Sequence, residues 1–534
     1  WVLHIENAGS SDTPIIANVQ AMDLTINSPL SPPFEPYVLH SAKGGVFDPS
    51  HLMPKTSVAD EENPASLGSE TGRSSTMNLP FFRLDAEGET YVVAVGWSGC
   101  WKADFVCRGS NRLHVTAGME ETHFLLHPGE KVRSPRILVL RWEGDAVESN
   151  SQFRQLIYKH YAARRNGKPP LPTIFCNTSI THGANWLNEC NAENQISLIN
   201  AYAHLGIDAL LTDAGWFTGG WPNGAGNWDV RKDAYPDGMG PVAKAALEKG
   251  MDYGLWFEPE RVVAGTGIHQ EHPEWCLRSA AGPQDTNLLN FGLAEVQEHF
   301  FKIVKGYMDL PGFRVYRQDF NMDPLPYWKH NDAPDRQGIC EMKYIEGLYA
   351  YWDRIATTWP DSLMEECASG GHRIDLETLM RMHIHQKTDY LFDDQTDQTA
   401  LFGLSQYLPN NVIVAHLDKL DTYSFHSTMA SSLCLGWTAD AQDFDAQRGK
   451  RLIDRYKEVR HLLVGAWYPL LPCPNDFVHR DTPDIDAWSW GGNMSRDRKP
   501  YTEWVATQYH RPDLDEGMIL AFRRPDSPYS AVQV

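Results

Sequence analysis

The chain has 534 residues and a formal net charge of −22. That length exceeds what one hydrophobic core serves, so two or three domains are expected and a small binding module is excluded. The acid excess comes with no Lys/Arg cluster able to follow a phosphate backbone, which excludes nucleic acid and anionic membrane surfaces as partners.

Taken in chain order, residues 1–165 show short alternating runs such as TYVVAVGW (90–97), RLHVTAGM (112–119) and RILVLRWEG (136–144), separated by Gly, Pro and Asn. This is the pattern of an N-terminal β-sandwich domain. The polar stretch 55–76 has no period and reads as a long loop. A helical run over 151–165 leads into the basic, Pro-rich RRNGKPPLP, a natural linker.

After Pro172 strand-like and helical runs alternate. Strands are expected at 173–177, 208–216, 252–260, 287–291, 313–320, 362–368, 383–390 and 411–417, with helices at 192–206, 241–250, 295–308, 343–359, 375–382 and 398–408. Gly206 and Gly250 give the C-cap signal that precedes the next strand. Eight strands with helical crossovers over roughly 250 residues predict an α/β chain built on a (β/α)8 TIM barrel, assigned to 166–470. A doubly wound sheet would carry a Gly-rich phosphate turn after its first strand, and NTSITHGANW is no such turn. A helix over 443–464 closes this domain. Residues 471–534, with strand-like DAWSWGG and GMILAFRR, read as the start of a truncated C-terminal β-domain.

Nine Cys without short CxxC pairs argue against a disulfide framework or structural zinc, although Cys100 and Cys107 could pair in an exported protein. No run approaches the ~18 apolar residues of a membrane span. The chain begins at Trp1 without a signal-like stretch and is expected to be a fragment or processed form, cytoplasmic or exported.

Barrel strands deliver functional side chains at their C-terminal ends. The polar residues there are Asp213, Glu258 and Glu260 beside Trp256, then Arg317, Asp319 and Asn321, then Glu365, Glu366 and Cys367, then Asp389. There is no GxSxG elbow, no HExxH and no His/Cys/Asp group with metal spacing, so no metal and no cofactor are expected. Carboxylates, aromatics and one arginine are the equipment of glycoside hydrolysis. A retaining enzyme needs two carboxyl groups roughly 5 to 5.5 Å apart, and strands separated by one neighbour can place Asp319 and Asp389 so. Arg317, two residues earlier on the same strand face, keeps Asp319 ionised, whereas burial and the charge of Asp319 raise Asp389. Glu258 and Glu260 are expected to support the site. Of Glu365 and Glu366 at most one points inward, and Asp393 and Asp394 are expected to be solvated.

The runs LLTDAGWF, GLWFEPE, YRQDFN, CASGG (367–371, continuing to Arg373 and Asp375) and TDY (388–390), with PFFRL and GWSGCW in the N-terminal part, together resemble the α-galactosidase-like glycoside hydrolases of family 36. The resemblance implies a retaining α-glycosidase with Asp319 as nucleophile and Asp389 as acid/base, 70 residues apart as in the family pattern. It also implies Asp213, Trp256, Arg317, Asn321, Cys367 and Gly370 as substrate-binding, with Cys367 a wall beside the sugar and Gly370 leaving room at the 2-position. Its partners would be an oligosaccharide or glycoconjugate, and an assembly of identical copies stays open. Two positions depart from the family: the paired aspartates of D-D-G-W are Asp213-Ala214 here, and the lysine before the nucleophile is Arg317. These leave the glycone open among α-galactoside, α-N-acetylgalactosaminide and α-galactosaminide. Transfer of the raffinose-synthase kind uses the same residues, and a catalytically idle carbohydrate-binding barrel is disfavoured by both retained aspartates.

Overall fold

In the N-terminal region two antiparallel sheets face each other. The computed structural model of the chain describes residues 1–27, 37–47, 49–60, 64–86, 88–108, 112–183, 185–280, 285–389, 391–474 and 502–534. One sheet orders the strands Gln20–Asn27, Arg112–Met119, Trp101–Cys107 and Ala65–Gly68; the other orders Arg136–Glu143, Glu89–Gly96, Phe81–Ala86, Tyr37–Ala42 and Pro54–Ala59. Alternate residues of both, including Met22, Leu39, Phe82, Val93, Phe105 and Val115, fill the layer between them. One of these strands, Ala65–Gly68, lies inside the stretch expected to be a loop, and another, Pro54–Ala59, lies inside it but for its first residue. Both are edge strands, mostly exposed or half-buried, so their polar composition hid them.

All nine cysteines are free thiols. Cys100 and Cys107 cannot pair, since they stand at opposite ends of the extended strand Trp101–Cys107, roughly 20 Å apart.

A helix, Ala146–Leu156, capped by Asp145 and extended by a π-turn over Ile157–Tyr161, joins the sandwich to the barrel. Buried Arg154 on this helix donates to the Ser405 carbonyl at 2.8 Å and to Asn410 Oδ1 at 2.8 Å, satisfying carbonyls that the apolar surroundings would leave bare.

The barrel is closed and parallel. Its strands are β1 (Ile174–Asn177), β2 (Ala209–Thr212), β3 (Asp252–Phe257), β4 (Phe313–Gln318), β5 (Leu363–Glu366), β6 (Ile384–Gln386), β7 (Ile413–Leu417) and β8 (Ser432–Leu435). The expected count of eight holds, but its membership does not. The run at 287–291 forms Thr286–Leu289, which pairs antiparallel with Arg261–Val263 and Cys276–Leu277 in a side sheet between β3 and β4. The true eighth strand is the short SLCL run. An apolar run does not state whether its partner is parallel or antiparallel, so periodicity alone could not separate the two. As a result Asp319 follows the fourth strand and Asp389 the sixth, still with one strand, β5, between them.

The expected helices appear as Ala192–Ala203, Gly240–Glu248, Ala294–Met308, Ile339–Thr358, Leu376–Leu379 and Asp394–Ser405, with an additional helix, Thr422–Thr428, before β8. No helix among the described residues is long and apolar enough to cross a membrane. After the helix Ala446–Val459 a three-stranded antiparallel sheet joins Ala466–Pro469, Val505–Arg511 and Glu516–Phe522. The GMILAFRR run supplies its last strand, whereas DAWSWGG and Tyr390 lie outside the described residues.

Candidate active site

At the C-terminal ends of β1 to β6 the polar residues converge. Asp319, one residue past β4, is 7% exposed. Its Oδ2 accepts from Trp256 Nε1 at 3.1 Å, and its Oδ1 accepts from the Phe320 amide at 2.7 Å and the Ser369 amide at 3.1 Å. Burial alone would raise its pKa. The positive Arg317 and hydrogen bonds from Asn321, Cys367 and the Ser369 amide outweigh that and hold the carboxyl below the ordinary aspartate value.

Asp389, three residues past β6, is half-buried. Burial, then the charges of Asp319 and Asp213, push it up to about 7 against the opposing Arg317 and Arg73. One carboxyl is thus kept ionised and its neighbour is kept protonated near neutrality.

The loop after β5 touches both. Ser369 sits in the left-handed region at φ +52, which turns its amide onto Asp319, and its hydroxyl donates to Asn321 Oδ1 at 2.9 Å. Gly370, at φ +81, passes so close to the end of β6 that a Cβ there would lie 2.4 Å from the Asp389 nitrogen. The space that its missing side chain leaves is therefore filled by the Thr388–Asp389 backbone, not by the 2-position of a sugar. Gly370→Ala is expected to shift Asp389 and lower kcat by about 10²-fold while the folded content by circular dichroism stays unchanged. An Ala variant with wild-type kcat removes this link.

Arg317 is 5% exposed; its Nη1 is hydrogen-bonded to Glu365 Oε1, and its Nε, 4.0 Å from Asp213 Oδ2, has no hydrogen-bond partner among the described residues. Burial, opposed by Arg317, pushes Glu365 up to about 6. Asp213 accepts from Asn177 Nδ2, at the end of β1, and from the Ala214 amide at 2.7 Å. Cys367 is buried, and burial and Asp319 raise its thiol well above the ordinary value, so it is no nucleophile at neutral pH. Gly370 donates its amide to the Cys367 sulfur at 3.3 Å.

Both strand-end glutamates after β3 are supports. Glu258 accepts from the Asn321 amide at 2.6 Å, while Glu260 accepts from Gln318 Nε2 at 2.8 Å, Tyr344 Oη at 2.7 Å and Arg373 Nη1 at 3.0 Å. Arg373 also pairs with Glu366, so of the two adjacent glutamates Glu365 meets Arg317 and Glu366 meets Arg373. Asp393, expected to be solvated, is buried and caps the helix Asp394–Ser405 by accepting from the Thr396 amide at 3.2 Å. Among the described residues no group of three or more His, Cys, Asp or Glu could hold a metal ion.

Residues 145–464, which carry every one of these barrel groups, match the family model for melibiase. The chain belongs to the melibiase family. Among its relatives the α-galactosidase AgaA of Geobacillus stearothermophilus is 25% identical over 437 residues, covering 76% of this chain and 58% of AgaA. The α-galactosidase Mel36A of Lactobacillus acidophilus is 23% identical over 434 residues, again covering 76% of this chain and 58% of the relative. The chain therefore spans a little over half the length of those relatives. The crystal structure of the GH36 α-galactosidase AgaA superposes with a TM-score of 0.83 at 21% identity, covering 99% of this chain and 72% of that one. A stachyose complex of AgaA gives the same score and coverage.

The eight residues singled out in the sequence, Asp213, Trp256, Arg317, Asp319, Asn321, Cys367, Gly370 and Asp389, lie around the ends of β2 to β6. Three participants were not foreseen. Asn177 ends β1 and was legible by the strand-end rule that marked Asp213. Ser369 acts through its backbone amide, which composition does not reveal. Arg73 enters from the sandwich, 247 positions before Phe320, whose carbonyl it binds.

Proposed function

We propose that this chain is a retaining α-glycosidase that hydrolyses terminal α-galactosides or closely related α-linked sugars by double displacement. Asp319 attacks the anomeric carbon, and Asp389 protonates the departing glycosidic oxygen. Asp389, now a carboxylate, then takes a proton from the water that opens the glycosyl-aspartate. The observation that carries this reading is the opposite displacement of two neighbouring carboxyls at the barrel mouth, Asp319 downward beside Arg317 and Asp389 upward by burial, since nucleophile and acid need opposite states at one pH. The names of the relatives support α-galactoside as the substrate class.

Ala214 is 3% exposed and packed among apolar side chains, so it offers no acceptor to a sugar hydroxyl. Arg317 is partly engaged by Glu365. A glycone that relied on a second aspartate would lose about 1 to 3 kcal/mol here, so simple α-galactosides are expected to be weak substrates. A panel of aryl α-glycosides (galactoside, N-acetylgalactosaminide, galactosaminide, glucoside) tests the substrate, and early NMR of the product tests the mechanism. The α-anomer is expected first; the β-anomer first would refute double displacement.

Activity requires Asp319 ionised and Asp389 protonated. With an alkyl α-galactoside, whose poor leaving group needs the acid, kcat/KM should fall as pH drops through the lowered pKa of Asp319 and as pH rises through about 7, where Asp389 loses its proton. The two limbs belong to the interacting pair. A profile flat through neutrality would remove Asp389 as the proton donor.

A further inference from the structure

Arg73 lies in the segment 71–76 of the N-terminal sandwich, yet its guanidinium is buried against the barrel. One nitrogen, Nη1, donates to the Phe320 carbonyl at 3.3 Å, the Ala368 carbonyl at 3.3 Å and Ser369 Oγ at 3.0 Å, while Nη2 donates to Asp323 Oδ1 at 2.7 Å. Phe320 and Ser369 are the two residues whose amides hold Asp319 Oδ1. A single nitrogen thus grips the far side of the Ala368–Ser369 peptide, whose amide holds the carboxylate, and the Phe320 carbonyl, one peptide beyond the other amide that does.

The segment that delivers Arg73 is itself secured. Ser75 Oγ donates to the Gly371 carbonyl at 2.6 Å, Ser74 Oγ donates to Asp375 Oδ2 at 2.7 Å, and Trp101 Nε1 donates to the Ser74 carbonyl at 2.6 Å. The burial of this cation is weakly compensated. Among the described residues its ion-pair partner is Asp323, 54% exposed; Asp319 adds a more distant compensating charge, and a second cation, Arg373, opposes both. Its loss would leave the buried Phe320 and Ala368 carbonyls without this donor, so the cost falls on the two loops that hold Asp319.

We infer that Arg73 is a positioning residue for the reaction proposed above: it clamps the loops after β4 and β5 so that the Phe320 and Ser369 amides stay aimed at Asp319, making the sandwich part of the reacting site. The inference rests on the glycosidase reading only for its kinetic consequence.

Arg73→Met and Arg73→Lys in the full chain test it by hydrogen exchange, steady-state kinetics on an alkyl α-galactoside, and the pH profile. Arg73→Met is expected to raise exchange at the amides of 320–321 and 368–370, to lower kcat by about 10²-fold, and to change KM by less than about threefold. The titratable and charged groups that face Arg73 are Asp323, Asp319, Asp389, Arg373 and His372, the last kept neutral by burial and by Arg73 itself. Loss of its positive charge beside the two aspartates should therefore move both limbs of the pH profile upward. Arg73→Lys keeps the charge and loses the fork, so its limbs should stay in place while exchange rises and kcat falls nearly as far. Unchanged exchange in the two loops overturns the inference whether or not the protein turns over a glycoside. So does a Lys variant with full kcat, which would reduce the role to charge. Absence of turnover in the wild type together with raised exchange in both variants would instead refute the glycosidase reading and leave the clamp standing.

Discussion

Asp319→Gly should lower turnover of an aryl α-glycoside by on the order of 10⁴- to 10⁶-fold, and sodium azide should restore a substantial part of it as the β-glycosyl azide. The site is built for that rescue. Removing the carboxylate leaves Trp256 Nε1 and the Phe320 and Ser369 amides aimed at the vacated volume, beside the positive Arg317. Three convergent donors and a cation make an anion pocket, and azide held there attacks the α-glycoside from the opposite face with inversion. Asp389→Gly has a different signature. Its glycosyl-enzyme still forms from a substrate with a good leaving group, and azide then enters from the face of that leaving group, giving the α-azide. If the products are exchanged between the two variants, the roles of Asp319 and Asp389 are reversed; if neither variant loses activity, the site is not here.

Arg373→Met should cost about 3 to 5 kcal/mol in chemical denaturation, because it leaves Glu260 and Glu366 buried without their cation. The effect is large because three adjacent strands meet at this point. Glu260 follows β3, Gln318 ends β4 and donates to Glu260 at 2.8 Å, and Glu366 ends β5. The guanidinium also lies 5.0 Å from the ring centroid of Phe320 and 5.3 Å from that of Trp352, so packing is lost with charge. Adding Glu260→Gln and Glu366→Gln to Arg373→Met should recover part of the loss, since the uncompensated carboxylates go with it. A single Met variant within about 1 kcal/mol of wild type would mean that water reaches these glutamates.

Much of the architecture was legible because a barrel strand, buried on both faces, is a short apolar run, and such runs alternate with helical ones between Pro172 and Leu417. The aspartates were legible by the same logic, as charges at the ends of such runs. What stayed hidden has a common cause. The pairing partner of Thr286–Leu289 and the shortness of β8 are set by where the chain closes, not by local pattern. The edge strands Pro54–Ala59 and Ala65–Gly68 look like loop because half of each meets water. Arg73 binds main-chain carbonyls and Ser369 acts through its amide, groups that every residue possesses, so nothing in the sequence announces either pairing. For Gly370 the family resemblance named the residue, and the close approach of β6 supplied a different reason for it.

Two consecutive residues, Ser369 and Gly370, stand between the aspartates, one bonded to Asp319 and the other pressed against the backbone of Asp389. In effect the dipeptide is a gauge block. The gap between paired carboxyls separates retaining from inverting glycosidases, and the two classes differ by only a few ångströms, close to the span of one residue. On the glycosidase reading proposed above, the stereochemical outcome would be set less by the strands that carry the aspartates than by the length of the loop on the strand between them. A chain that gained or lost one residue there could trade one anomeric product for the other while keeping both carboxylates.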